Sequence, residues 1–175
     1  MKRRVVGKQA NSRMCFICGL KNAMGLKASF YKLEGGELAA VFTPREEHQG
    51  YPGRLHGGIA AAVVDELIGR AINDSAVDEV WGVTVELSVK YRKPVPVGEE
   101  LRAVARITRD GGRFFEGTGE ILLSDGSAAV EARGRYFRLP LDQIAQSELD
   151  ELEWAVIPRP GRSEERRVGK ECSLP

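Results

Sequence analysis

No stretch of this 175-residue chain approaches the ~18 consecutive apolar residues of a membrane-spanning helix, so none is expected. An excess of either charge is also missing. The 26 basic residues stand against 25 acidic ones, which removes any broad attraction to nucleic acid or an anionic membrane. Cysteine is scarce, and Cys15, Cys18 and Cys172 do not make a disulfide framework. The opening MKRRVVGKQANSR is basic but lacks the apolar core of a secretory signal, which leads us to expect a cytoplasmic protein. Internal repeats and interdomain linkers are absent as well. The length suits one domain with a sizeable core.

What is present is GRLHGGIAAAVVDELIGRA, Gly53 to Ala71. Gly53 to Gly58 reads as a loop turning into a helix start. From Ile59 to Ile72 the residues are apolar almost all the way round, the pattern of a buried helix. Two carboxylates, Asp65 and Glu66, interrupt it, and acidic groups are seldom buried unless something satisfies them.

The remaining elements follow from alternation and turn signals. Gly25–Leu33 and Glu37–Phe42 read as two strands joined at Gly35-Gly36, and the helix is expected to end near Asn73-Asp74-Ser75. Val83, Val85, Leu87, Val89 and Tyr91 alternate with polar residues as a half-buried strand, stopped by Pro94 and Pro96. Strands over Glu100–Arg109, Phe114–Leu123 and Ala128–Leu139 complete a meander, turning at Asp110-Gly111-Gly112 and Asp125-Gly126. The reading is one α+β domain, an antiparallel sheet packed on a long helix. Residues 1–14 read as a flexible basic lead, 15–140 as the domain, and 141–160 as an extension with a short surface helix over 141–154. Residues 161–175 form a charged tail that carries the whole net charge and resembles vector read-through as much as native fold.

Cys15 and Cys18 have CxxC spacing, but no second CxxC or histidine pair completes a structural zinc site. A βαβ pattern, the setting of a redox CxxC, is missing too. The pair reads as two small residues packing a loop.

The glycines at 57 and 58 let a ligand approach a helix N-terminus, where unpaired amides carry the positive end of the dipole. Such donors stabilise a developing oxyanion by ~3 kcal/mol each. Nine residues separate His56 from Asp65, roughly 13 Å along a helix, so one helix cannot bring both to one small group. Two antiparallel copies related by a two-fold axis can. Asp65 and Glu66 point about 100° apart, so one of them is expected to face the site.

HQGYPGRLHGGIAAAVVDE followed by GVTVELSVKYRKPVPVGE resembles the hotdog-fold thioesterases, in their PaaI-like branch, over roughly residues 15 to 138. The most specific part is His-Gly-Gly with an aspartate nine residues after the histidine. The resemblance implies a helix wrapped by an antiparallel sheet, a homodimer that often pairs into a tetramer, and hydrolysis of acyl-CoA without metal or other cofactor. It implies that Asp65 is general base or nucleophile. The amide of Gly57 or Gly58 from the other subunit would polarise the carbonyl, His56 would support that loop, and Thr84 would help position the water. Some relatives carry an asparagine at the position of Gly50, and Gln49 is the neighbour able to take over its contact. Another hotdog branch uses a glutamate on this helix, which makes Glu66 a second candidate. Arg54, Lys90, Arg92 and Lys93 are candidates for the CoA phosphates, and Phe114, Phe115, Tyr136 and Phe137 for an acyl pocket or sheet core. The other readings are a domain that binds acyl-CoA without turnover and an enoyl-CoA hydratase or dehydratase, the latter needing a differently placed histidine–carboxylate pair.

Overall fold

A computed structural model describes residues 2–73, 80–140, 143–144, 154–155 and 172–173. Seven strands form one antiparallel sheet: β1 Val5–Lys8, β2 Ser29–Leu33, β3 Leu38–Phe42, β4 Val80–Tyr91, β5 Leu101–Asp110, β6 Phe114–Leu122 and β7 Ala128–Pro140. Their order across the sheet is β1-β2-β3-β5-β6-β7-β4, and the helix α1, Gly57–Arg70, lies against it. Ala60, Val63, Val64, Leu67 and Ile68 of α1 join Phe30, Phe42, Ala103, Ala105, Phe115 and Ile121 in the main core. Close approach of helix to sheet depends on Gly117, where a Cβ would lie 2.6 Å from Cγ2 of Ile68.

Residues 101–140 form the expected meander to within a residue at each strand end. Three expectations change. Within the lead expected over residues 1–14, the described residues are not free: β1 pairs with β2, Val5 opposite Leu33 and Lys8 opposite Tyr31, because the β2 edge offers unpaired backbone groups. Further on, Gln9, Asn11 and Ser12 are buried, and the Gln9 amide donates to the carbonyls of Arg70 and Asn73 at the end of α1. Second, β2 begins at Ser29 rather than Gly25, since Lys27 takes a left-handed conformation with φ 54°. Third, α1 ends at Arg70, short of the expected 73–75.

Strict alternation also fails within β4. Arg135 faces Glu86, but the next residue, Tyr136, faces Thr84, so Val85 is the extra residue of a β-bulge. A bulge switches the side-chain parity of a strand. Leu87 and Val89 therefore pack on the core while Thr84, of opposite parity, turns toward α1, and Val83 and Val85 are exposed. The expected surface helix over 141–154 falls largely outside the described residues, as does most of the 161–175 tail.

Candidate active site

The sequence turns from a short hairpin, Gln49–Tyr51 with Arg54–Leu55, directly into α1. His56 caps the helix: its Nδ1 accepts from the Gly58 N–H at 2.9 Å, and its own N–H donates to the carbonyl of His48 at 2.9 Å. His48 is itself buried. Its Nδ1 accepts from the Arg45 N–H, so its Nε2 carries the proton donated to the Met24 carbonyl. The N–H groups of Ile59 and Ala60 both turn back to the His56 carbonyl. Among the described residues this leaves the Gly57 N–H as the first-turn amide without a partner, and it is Gly57 rather than Gly58 that is open to a ligand oxygen. The Tyr91 hydroxyl donates to the Gly57 carbonyl at 2.9 Å and fixes this corner to β4.

Two turns further along α1, Asp65 faces β4 and β7. Its Oδ1 accepts from the Thr84 hydroxyl at 2.9 Å and from the Tyr136 hydroxyl at 3.0 Å. Oδ2 has no partner among the described residues. Tyr136 is fully buried, its ring stacked on Phe115 with centroids 5.1 Å apart, and its hydroxyl also lies 3.2 Å from the Asp65 carbonyl. Burial, and after it the neighbouring Asp65 charge, pushes the phenol well above its ordinary value, so Tyr136 remains a donor. Asp65, Glu66, Gly69, Arg70, Trp81, Gly82, Thr84 and Tyr136 line a cavity of about 130 Å³.

Glu66 lines that cavity but is engaged elsewhere. Its Oε1 accepts from Arg70 Nε at 2.6 Å, and the Cys15 and Cys18 sulfurs each lie 3.8 Å from it. Arg70 is buried between the rings of Phe30 and Trp81 and stays charged: burial opposes the cation, and the Glu66 carboxylate outweighs it. Gln49 is exposed and its side-chain oxygen accepts from the Gly53 N–H, closing its own hairpin. Beside it, a Cβ at Gly50 would lie 3.2 Å from His56 Cα, so the backbone rests directly on the capping histidine.

Arg92 and Lys93 line a separate cavity of about 280 Å³ with Gly57, Ala60, Tyr91 and Val95. Arg92 pairs there with Glu131 and Lys93 donates to Ser127, while Arg54 and Lys90 are exposed outside the lining. Phe114 and Phe137 meet edge to face, centroids 4.9 Å apart, across β6 and β7, and Arg135 and Arg113 lie over their rings. Among the described residues, the three donors close enough to share a metal are Cys15, Cys18 and Glu66, and the Arg70 guanidinium already contacts two of them. That buried cation opposes a second positive charge.

In sequence Tyr136 is a candidate for an acyl pocket or the sheet core, and no motif there marks it as a donor to Asp65. The available signal was chemical, since a buried tyrosine hydroxyl needs a partner.

The Thioesterase superfamily profile matches residues 52–130. Human acyl-coenzyme A thioesterase 13 is 27% identical over 101 residues, which span 58% of this chain and 71% of the relative. The crystal structure of a thioesterase superfamily protein is 28% identical with a TM-score of 0.63, covering 71% of this chain and 60% of its own length. The PaaI protein of Escherichia coli shares the fold at 19% identity, TM-score 0.59, over 67% of this chain and 83% of its own.

Proposed function

We propose that this chain, which belongs to the thioesterase superfamily and has its hotdog fold, hydrolyses an acyl-CoA thioester to the free acid and CoA. The observation that carries the reading is the Asp65 carboxylate, which lines the cavity with one oxygen pinned by two hydroxyls and the other without a partner among the described residues. A base fixed in this way can take a proton from water as the water attacks the thioester carbon, without reorganising during the step. Alternatively Oδ2 attacks the carbonyl itself and expels the CoA thiolate, and water then opens the mixed anhydride at the Asp65 carboxyl carbon. Single turnover in ¹⁸O-water separates the two, labelling the product acid in the first case and Asp65 in the second.

The carbonyl needs a donor, and the open Gly57 N–H stands eight residues before Asp65, about 12 Å away along α1. One chain therefore carries two halves of a site. The missing half is supplied by a second copy, and the homodimer forms through β4. Among the described residues that strand stands at the end of the sheet, with β7 as its neighbour, and it exposes Val83, Val85 and Tyr91, an edge suited to antiparallel pairing. A pair of such dimers makes the tetramer. The cavity at Gly57, with Arg92 and Lys93 in its wall, takes the pantetheine and phosphates of CoA. Free thiols at Cys15 and Cys18 suit the reducing cytoplasm.

The test is thiol release from a panel of acyl-CoA substrates by the wild type and by Asp65→Asn. We expect release by the wild type, a fall of at least a thousandfold in the variant, and an unchanged oligomer. CoA binding with no release from any substrate would replace the enzyme with a binding protein, and full activity of Asp65→Asn would remove Asp65 from the reaction.

A further inference from the structure

The loop between β1 and β2 folds Cys15 and Cys18 against Glu66 and Arg70 of α1. Around Cys15 the chain makes one tight turn, closed by the Gly19 N–H on the Cys15 carbonyl at 2.8 Å. That turn aims the N–H groups of Ile17 and Cys18 at Cys15 Sγ, at 3.3 and 3.4 Å. Cys18 is fully buried. Its Sγ lies 3.7 Å from Ser12 Oγ and accepts from Arg70 at 3.2 Å. Both sulfurs and a Glu66 carboxylate oxygen lie within 4.8 Å of one another.

The two thiols are unequal. Cys15 is half-buried, and the Cys18 thiol and the two backbone amides that donate to its sulfur bring it down to about 7, against burial and the Glu66 charge. Cys18 is pushed well up, first because it is the donor in that bond and then by burial. An accessible sulfur held as thiolate beside a sheltered, protonated one is the arrangement of an attacking and a resolving cysteine. The titratable groups facing the pair are Glu66 and Arg70, already paired with each other. A loop-packing role needs neither the amides aimed at Cys15 nor a guanidinium on Cys18.

We propose that Cys15 and Cys18 form a redox-active dithiol, with Cys15 as nucleophile and Cys18 as resolving thiol, oxidised by low-molecular-weight disulfides. The Cys15 thiolate attacks one sulfur of R–S–S–R, giving a Cys15–S–S–R mixed disulfide and R–S⁻. Cys18 gives up its proton to a departing thiolate and attacks Cys15 Sγ, expelling the second R–S⁻. The cysteine pair loses two electrons and two protons, and the small disulfide leaves as two R–SH. Closing the bond brings the sulfurs to about 2 Å and withdraws them from Glu66 and Arg70, which share a cavity wall with Asp65. The site is independent of the thioester reading, and its test measures thiols rather than turnover.

The test uses the full chain as Cys172→Ser, so that only this pair is counted, with oxidised glutathione as probe and mass spectrometry as readout. The expected product is an internal disulfide with no retained glutathione. With Cys18→Ser added, one glutathione stays on Cys15; with Cys15→Ser added, none is captured. Iodoacetamide labelling of Cys15 in the otherwise unmutated pair is expected to rise with a midpoint near pH 7, below the ~8.5 of an ordinary thiol. This last readout does not depend on how the serine variants fold. Glutathione retained on Cys18, labelling of Cys15 with an ordinary midpoint, or one zinc ion per purified chain that blocks both thiols would overturn the proposal.

Discussion

Thr84 and Tyr136 sit opposite each other on neighbouring antiparallel strands, and their hydroxyls converge on the same oxygen of Asp65, at 2.9 and 3.0 Å. Hydrogen bonds to a charged acceptor are worth about 1.5–3 kcal/mol, enough for two of them to select a single rotamer of the carboxylate. Tyr136→Phe and Thr84→Val each remove one donor with little change in volume. Each is expected to lower kcat by roughly 10- to 100-fold with a small effect on KM. The double variant is expected to lose less than the product of the two, because both donors hold one oxygen. Steady-state kinetics of the three proteins checks this, and unchanged kcat in both single variants would separate the hydroxyls from catalysis.

The open edge of β4 makes a second prediction. Val85 is 54% exposed at the bulge. Val85→Glu sets like charges near one another across a two-fold pairing of this strand. Sedimentation is expected to show a monomer, and thiol release to fall by at least a hundredfold although Asp65, Thr84 and Tyr136 are intact. A fully active monomer would mean that one chain holds the whole site.

Glu66 and Asp65 are sequence neighbours with opposite expected phenotypes. Glu66→Gln leaves the Arg70 cation, with a side chain 3% exposed, in place without its counter-charge. Breaking a buried pair in this way costs ~3–5 kcal/mol, and the partial exposure of Glu66 reduces this to about 2 kcal/mol. The urea midpoint is expected to drop at constant m-value, whereas Asp65→Asn acts on rate. Equal stability of Glu66→Gln and the wild type would show that solvent replaces the carboxylate at Arg70.

Gly117 is where helix meets sheet most closely. In Gly117→Ala the new carbon meets Ile68 at 2.6 Å and the Arg106 carbonyl at 2.9 Å, and neither the helix core nor the strand backbone yields easily. Overpacking of this kind costs ~1–3 kcal/mol. Thermal denaturation is expected to show a lower Tm, and an unchanged Tm would mean that α1 shifts to accommodate the methyl group.

Local sequence pattern is enough to place the meander, the buried helix, the turns and the candidate carboxylate Asp65. These are local: a two-residue period marks a strand face, Asp125-Gly126 marks a turn, and two acids in an apolar helix mark an unsatisfied need. Tertiary structure decided what meets that need. The β4 bulge inverts side-chain parity between Leu87 and Thr84, and no composition rule in the strand announces it. Tyr136 lies 71 residues from Asp65 and Arg70 lies 52 residues from Cys18, so their bonds exist only once β7 and the N-terminal loop close around α1. Local pattern fixes which faces are buried. Which buried polar groups become partners depends on the packing of distant segments, as the bonds of Glu66 and Cys18 to Arg70 show.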